Sequence, residues 1–190
     1  MTPKILKETV LHEGWARFLM LELGLPDGAK IKRELDDHGQ AACVLPYDPD
    51  RKTATLVRLW RVGALYRGET AHLLEAPAGI IDEGEETQAA ARREALEETG
   101  LRLQVLEPVA RAWTAPGITT ETIALYLAPI SAADRVARGG GLAEEHEEIE
   151  VVEMPLDELW RMVNAGELDD LKTLALAYAL HDRRPDLFQA

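Results

Sequence analysis

Glu94 and Glu98 stand four residues apart in Arg93-Glu94-Ala95-Leu96-Glu97-Glu98, and Glu97 follows Glu94 by three. On a helix such residues are neighbours, with Cβ atoms roughly 5–6 Å apart, so the three carboxylates share one face and its edge. Like charges at that spacing repel unless something positive lies between them. A hard divalent cation meets that need. Magnesium takes oxygen ligands, keeps several waters and bridges carboxylates to substrate phosphates. The preceding Gly79-Ile80-Ile81-Asp82-Glu83-Gly84-Glu85 can loop back and bring Glu85 and backbone carbonyls to the same place. Taken alone, Arg-Glu-Ala-Leu-Glu-Glu equally describes an exposed, salt-bridged helix.

The rest of the chain bounds that chemistry. Its 190 residues favour one domain with a real core, and 46% hydrophobic with 29% charged residues is ordinary for a soluble protein. A net charge of −13 disfavours a nucleic-acid partner, because binders of the phosphate backbone carry basic stripes. A small phosphate compound remains compatible if metal or a few placed arginines offset the repulsion. No apolar run approaches the ~18 residues of a bilayer span, so no membrane partner is expected. Met1-Thr2-Pro3-Lys4 lacks a signal core, and a cytoplasmic address is the expectation. The single cysteine, Cys43, lies in an apolar run and reads as a packing residue.

The elements that must position the carboxylates follow from the pattern. Residues 5–35 read as strands broken at Leu25-Pro26-Asp27-Gly28. Residues 41–46, 53–60 and 72–75 read as further strands. Residues 87–99 read as a helix with Thr87 as N-cap and Gly100 as its stop. Strands are expected at 103–113, 121–128 and 149–154. A short helix follows Pro155 and ends near Gly166. A last helix over 169–181 would carry Leu171, Leu174, Ala175 and Tyr178 on one face. Many strands with few, separated helices describe an α+β fold with helices on a mixed sheet.

From Gly79 to Leu101 the spacing matches G-x5-E-x7-R-E-U-x-E-E-x-G-U, U being apolar, with the small Ala95 in one apolar slot. That pattern resembles the Nudix box, and the chain is similar to the Nudix hydrolases. The resemblance implies an α/β/α sandwich with a mixed sheet, and water attack on a nucleoside diphosphate linked to another group. It implies magnesium, with manganese as substitute, held by Glu94 and Glu98, with Glu97 assisting and the Ala78 carbonyl as a further ligand. Gly79, Glu85 and Arg93 are implied as supports of the cluster.

Outer motifs narrow the group. Ala115-Pro116-Gly117 with Glu121, Leu74-Glu75-Ala76-Pro77-Ala78-Gly79, Arg61 and Leu171-Lys172-Thr173-Leu174-Ala175 resemble elements of the ADP-ribose and nucleoside-diphosphate-sugar pyrophosphatases. The resemblance implies that Arg61, Pro116, Gly117 and Glu121 contact the substrate. In the acidic stretch Glu144–Glu148 it implies Glu145 as general base and Glu147 as metal ligand. ADP-ribose is the expected substrate, with GDP-mannose the alternative. A non-catalytic nucleotide-sugar-binding module and a nucleoside-triphosphate or dinucleoside-polyphosphate hydrolase rank below both. A homodimer is implied, with residues 1–38 as a partner-contacting strand region and 39–190 as the Nudix domain. Trp15, Phe18, Trp60, Trp113 and Tyr126 read as core before base-stacking residues. The five histidines show no metal spacing.

Overall fold

The computed structural model describes residues 2–69, 72–142 and 148–188. The chain divides into two compact units, Met1–Ala41 with Arg111–Ile123, and Ala42–Ala110 with Ala124–Ala190.

The first unit holds a three-stranded antiparallel meander, β1 (Lys4–Glu13), β2 (Arg17–Gly24) and β3 (Lys30–Asp37), in that order. The turn expected at Pro26-Asp27-Gly28 is there. Gly28 takes a positive φ of 86°, and the Asp27 side chain accepts from the Ala29 N–H at 3.0 Å. Every residue of β1 is exposed, including the apolar Ile5, Leu6, Val10 and Leu11. In the same unit Ile118 and Thr119 both donate to the Ala115 carbonyl at 3.0 Å, and Asp36 of β3 donates to the Ile118 carbonyl at 2.8 Å.

The second unit is built on a seven-stranded sheet. Its strands are β4 (Ala41–Asp48), β5 (Thr53–Trp60), β6 (His72–Glu75), β7 (Ala78–Ile80), β8 (Glu107–Trp113), β9 (Thr122–Pro129) and β10 (Glu150–Pro155). The main path runs β10-β5-β4-β9-β8, with β6 on β5 and β7 on β4. β10 takes one edge of β5 from Arg58 to Thr53. β4 meets the other edge only near the hairpin, at Ala54 and Thr53, and β6 takes it from Val57 to Trp60. Residues 75–79 thus cross from β5 to β4, which brings Ala78 and Gly79 beneath a helix. That helix is α2 (Thr87–Thr99), the second of four α-helices among the described residues, after α1 (Val62–Arg67) and before α3 (Leu156–Ala165) and α4 (Leu171–Arg183). The buried side of α2 is made of Ala90, Ala91 and Ala95, packed with Val44, Leu101, Leu103 and Tyr126. Alanine there lets the helix lie close to the sheet.

Several expectations hold, among them the bounds of α2 and β6 and left-handed glycine stops at Gly100 and Gly166. Others need correction. Thr87 is the first helical residue and not the cap. Glu86 holds the extended cap position, and the Thr87 hydroxyl pairs with that of Tyr126 at 2.6 Å. The buried stripe of α4 is Thr173, Leu176, Ala177 and Leu180, while Leu171 and Tyr178 are exposed. A polar Thr173 can head that stripe because its hydroxyl is fully hydrogen-bonded. Of the five aromatics read as core, only Tyr126 is buried; Trp15, Phe18, Trp60 and Trp113 are exposed. Neither α1, which buries no residue, nor the three-residue β7 is expected from the sequence pattern. Among the described residues no helix is long and apolar enough to cross a membrane.

Candidate active site

Arg93 is the hub of the carboxylate helix. Its Nε and Nη2 donate to the two oxygens of Glu85 at 3.1 and 2.9 Å, a bidentate clasp. Nη2 also donates to the Ile80 carbonyl at 2.9 Å, and Nη1 donates to Glu94 at 2.6 Å and Glu97 at 3.4 Å. One guanidinium therefore fixes the loop after β7 and two carboxylates of α2. A planar fork of five donors suits this; a lysine could not reach so many acceptors in fixed geometry. The Glu85 hydrogen bonds hold the Arg93 guanidinium well above its ordinary range, and the Arg93 hydrogen bonds hold the Glu85 carboxyl below its own.

Glu98 lies one turn beyond Glu94 and is only 3% exposed. Its Oε2 accepts from the Ala78 N–H at 3.1 Å. Gly79 lies against Glu94, and a Cβ at Gly79 would collide with that carboxylate. The box glycine thus leaves the room that Glu94 fills.

Among the described residues no three His, Cys, Asp or Glu side chains form a group that could hold a metal ion. Magnesium-type ions do not demand such a cage, since they keep waters and take one or two protein carboxylates plus substrate phosphates. Glu94, against Gly79, and Glu98, against the Ala78 N–H, supply two hard oxygen donors one turn apart on α2. These residues fit a hard divalent cation. Glu145 and Glu147 lie outside the described residues.

A second charged cluster sits near the start of α4. Glu75, 1% exposed, receives Nε and Nη2 of Arg61, both at 2.7 Å, and the ammonium of Lys172. Lys172 also donates to Asp170 at 2.8 Å. Asp170 caps α4 by accepting from the Thr173 N–H at 2.9 Å, and the Thr173 hydroxyl accepts from the Ala76 N–H at 2.6 Å. Burial pushes the Glu75 carboxyl up, but Arg61 and Lys172 outweigh it and hold the group below its ordinary value. Burial likewise pushes Lys172 down, and Glu75 with Asp170 more than restores it. Arg61, expected at the substrate, is thus bound to a buried glutamate. The sequence carries no sign of this cluster beyond the motifs that contain its members, because the partners are 14 and 97 residues apart. Cys43 is fully buried beside it, with Sγ 3.6 Å from the Ala76 carbonyl, and burial pushes its thiol up, as suits a packing residue.

Pro116, Gly117 and Glu121 belong to the first unit. Pro116 and Gly117 lie in the turn that Ile118 and Thr119 close onto Ala115, and nothing lies within 4 Å of where a Gly117 Cβ would stand. Glu121 is held in place: its N–H donates to the Thr119 hydroxyl at 3.1 Å and its carboxylate lies 3.4 Å from His38 Nε2. His38 also meets Asp36 at 3.1 Å and stacks on Trp15, with centroids 5.2 Å apart. Burial lowers the His38 pKa, and the two carboxylates outweigh it, so the net shift is upward. Metal spacing is the wrong signal for His38, which follows the end of β3; the clue in the sequence is Asp36, two residues before it.

The family profile described as "NUDIX domain" matches residues 37–176. The chain is 38% identical over 185 residues to the GDP-mannose pyrophosphatase of Cronobacter sakazakii, covering 95% of each protein. It is 35% identical over 182 residues to the Citrobacter koseri protein of the same name, covering 93% of this chain and 94% of that one. A crystal structure described as an ADP compounds hydrolase superposes with a TM-score of 0.79 at 18% identity, covering 98% of this chain and 96% of that one. That likeness shows the fold, a Nudix fold of helices on a mixed sheet.

Proposed function

The chain belongs to the NUDIX domain family, and from that premise we propose that this hydrolase splits the pyrophosphate of a nucleoside-diphosphate sugar, with GDP-mannose as its preferred substrate. The chemistry rests on the face of α2, where Glu94 and Glu98 lie together under the control of Arg93 and Gly79. The choice of substrate rests on the relatives named above, which resemble this chain over nearly its full length. Their name supports GDP-mannose, the alternative to the ADP-ribose expected from sequence alone.

In this reading Glu94, Glu98 and the Ala78 carbonyl hold magnesium, or manganese in its place, with Glu147 as a further ligand. When bound, the ion offsets the diphosphate charge and lowers the pKa of a water. Glu97 shares Arg93 with Glu94 and keeps that carboxylate oriented. Glu85 anchors Arg93 from the other side, so that a side-chain chain runs from the loop to the helix face. Glu145 is the general base. Arg61, Pro116, Gly117 and Glu121 are the substrate contacts. Two copies associate through residues 1–38, where β1 leaves apolar side chains exposed.

The test is product analysis with GDP-mannose and ADP-ribose in magnesium. GMP and mannose 1-phosphate should appear, faster than AMP and ribose 5-phosphate from ADP-ribose. A faster release of AMP would reverse the order, and release of neither nucleotide would refute the reading. Sedimentation at the 21.0 kDa mass of a single chain would remove the dimer.

A further inference from the structure

The C-terminal end of α2 is finished by a distant stretch of chain. The last four carbonyls of a helix have no partner within it and usually meet water or a local cap. Here residues 135–141 supply donors to them. The Gly141 N–H donates to the Glu97 carbonyl at 3.2 Å, and the Gly140 N–H to the Glu98 carbonyl at 2.8 Å. The Arg135 guanidinium donates to the Thr99 carbonyl at 2.7 Å, and Val136 and Ala137 both donate to the Gly100 carbonyl, at 2.9 and 3.2 Å. Two of these carbonyls belong to residues whose side chains form the carboxylate face.

The fit leaves no room for a side chain at position 139. A Cβ on Gly139 would stand 2.5 Å from the Glu98 carbonyl oxygen and 2.7 Å from the Thr99 Cα. Gly139, Gly140 and Gly141 all take positive φ, at 72°, 114° and 78°, a run that L side chains rarely adopt. The stretch is itself anchored, because Arg135 donates through its other nitrogen to Glu153 of β10 at 2.9 Å, and Arg51 grips that same carboxylate at 2.6 Å.

We propose that residues 135–141 are a positioning strap for the cation site, fixing the last turn of α2 so that Glu98 and Glu97 present their carboxylates in one geometry. Gly139 and Arg135 are its determining residues. They act through α2 and touch neither metal nor substrate. This inference rests on the metal reading above.

The experiment titrates Mn2+ against the full chain by the paramagnetic resonance of the free ion, and measures activity on GDP-mannose against Mg2+ concentration. Gly139→Ala should raise the half-saturating Mn2+ concentration about tenfold or more, the scale on which groups supporting metal ligands act. Its kcat should recover at saturating metal. Gly166→Ala is the matched control: Gly166 has φ 69°, ends α3, and has open space around it, so it carries the same backbone strain without touching α2. It should leave Mn2+ affinity unchanged. Should Gly139→Ala fail to fold, Arg135→Gln decides, with Arg135→Lys, which keeps the positive charge but not the forked guanidinium, expected between it and the unmodified chain. Mn2+ affinity unchanged in Arg135→Gln, or lost equally in Gly166→Ala, overturns the strap. No Mn2+ binding to the unmodified chain overturns the metal reading and the strap with it. Binding without hydrolysis of either nucleotide sugar overturns the substrate alone, and the Mn2+ arm still judges the strap.

Discussion

The second unit contains two clusters built from the same parts in different ratios. Around Arg93, the carboxylates of Glu85, Glu94 and Glu97 share one cation, with buried Glu98 a turn away. Around Glu75, two cations, Arg61 and Lys172, meet two carboxylates, Glu75 and Asp170. The second is balanced and joins β6 to the start of α4. Among the described residues the first sets one guanidinium against three carboxylates. The balanced cluster is a strut; in the proposed function the other is the place for a cation. Buried pairs are costly to break by removing one member, whereas a site that awaits a ligand tolerates change in its fold and loses function.

Substitutions can break this comparison. Glu98→Gln keeps the shape and removes a ligand charge; turnover with magnesium should fall about a thousandfold or more, ~4 kcal/mol of transition-state stabilisation, with the melting temperature nearly kept. Near-normal turnover would remove Glu98 from the metal set. Glu75→Gln should do the reverse. It should destabilise the fold by about 3 kcal/mol, the low end for a broken buried pair because Arg61 can still reach water. Chemical denaturation would measure it, and a loss within error of zero would show that the strut carries nothing. Arg93→Lys should lower kcat by roughly tenfold to a hundredfold, in the manner of a residue that orients ligands, with a smaller effect on stability.

Acid sharpens the contrast further. Glu75 and Glu85 both have folded pKa values below the ordinary 4.5. Each therefore adds stability above 4.5 that is lost as pH falls through its lowered folded value. The gap in stability between Glu75→Gln and the unmodified chain should narrow as pH drops below 4.5, and a gap independent of pH would deny the ion pair its role. The smallest effect concerns Cys43, which lies against the strut. Alkylation of the native chain should be slow. It should quicken in Glu75→Gln and not in Glu98→Gln, as mass spectrometry over time would reveal.

The two clusters also differ in how legible they are in the sequence. The Arg93 group lies within one short stretch, so the spacing places Glu94, Glu97 and Glu98 on one helix face, and the resemblance of the whole stretch names Glu85 and Arg93 beside them. The bounds of α2 are legible for the same reason, a glycine stop and a run of helix formers. The strut joins residues far apart in sequence, and only the fold brings them together. α1 leaves no mark because a helix that buries nothing has no apolar period. The exposed tryptophans mislead because aromatic character signals burial only on average. His38 is hard to read because its partners are one neighbour and one distant glutamate.

Gly79 and Glu94 occupy what is in effect a single volume. A side chain at position 79 would displace the end of the Glu94 side chain while leaving the backbone of either residue where it is. The glycine therefore sets where the carboxylate stands, and a substitution there would move a charge without removing it.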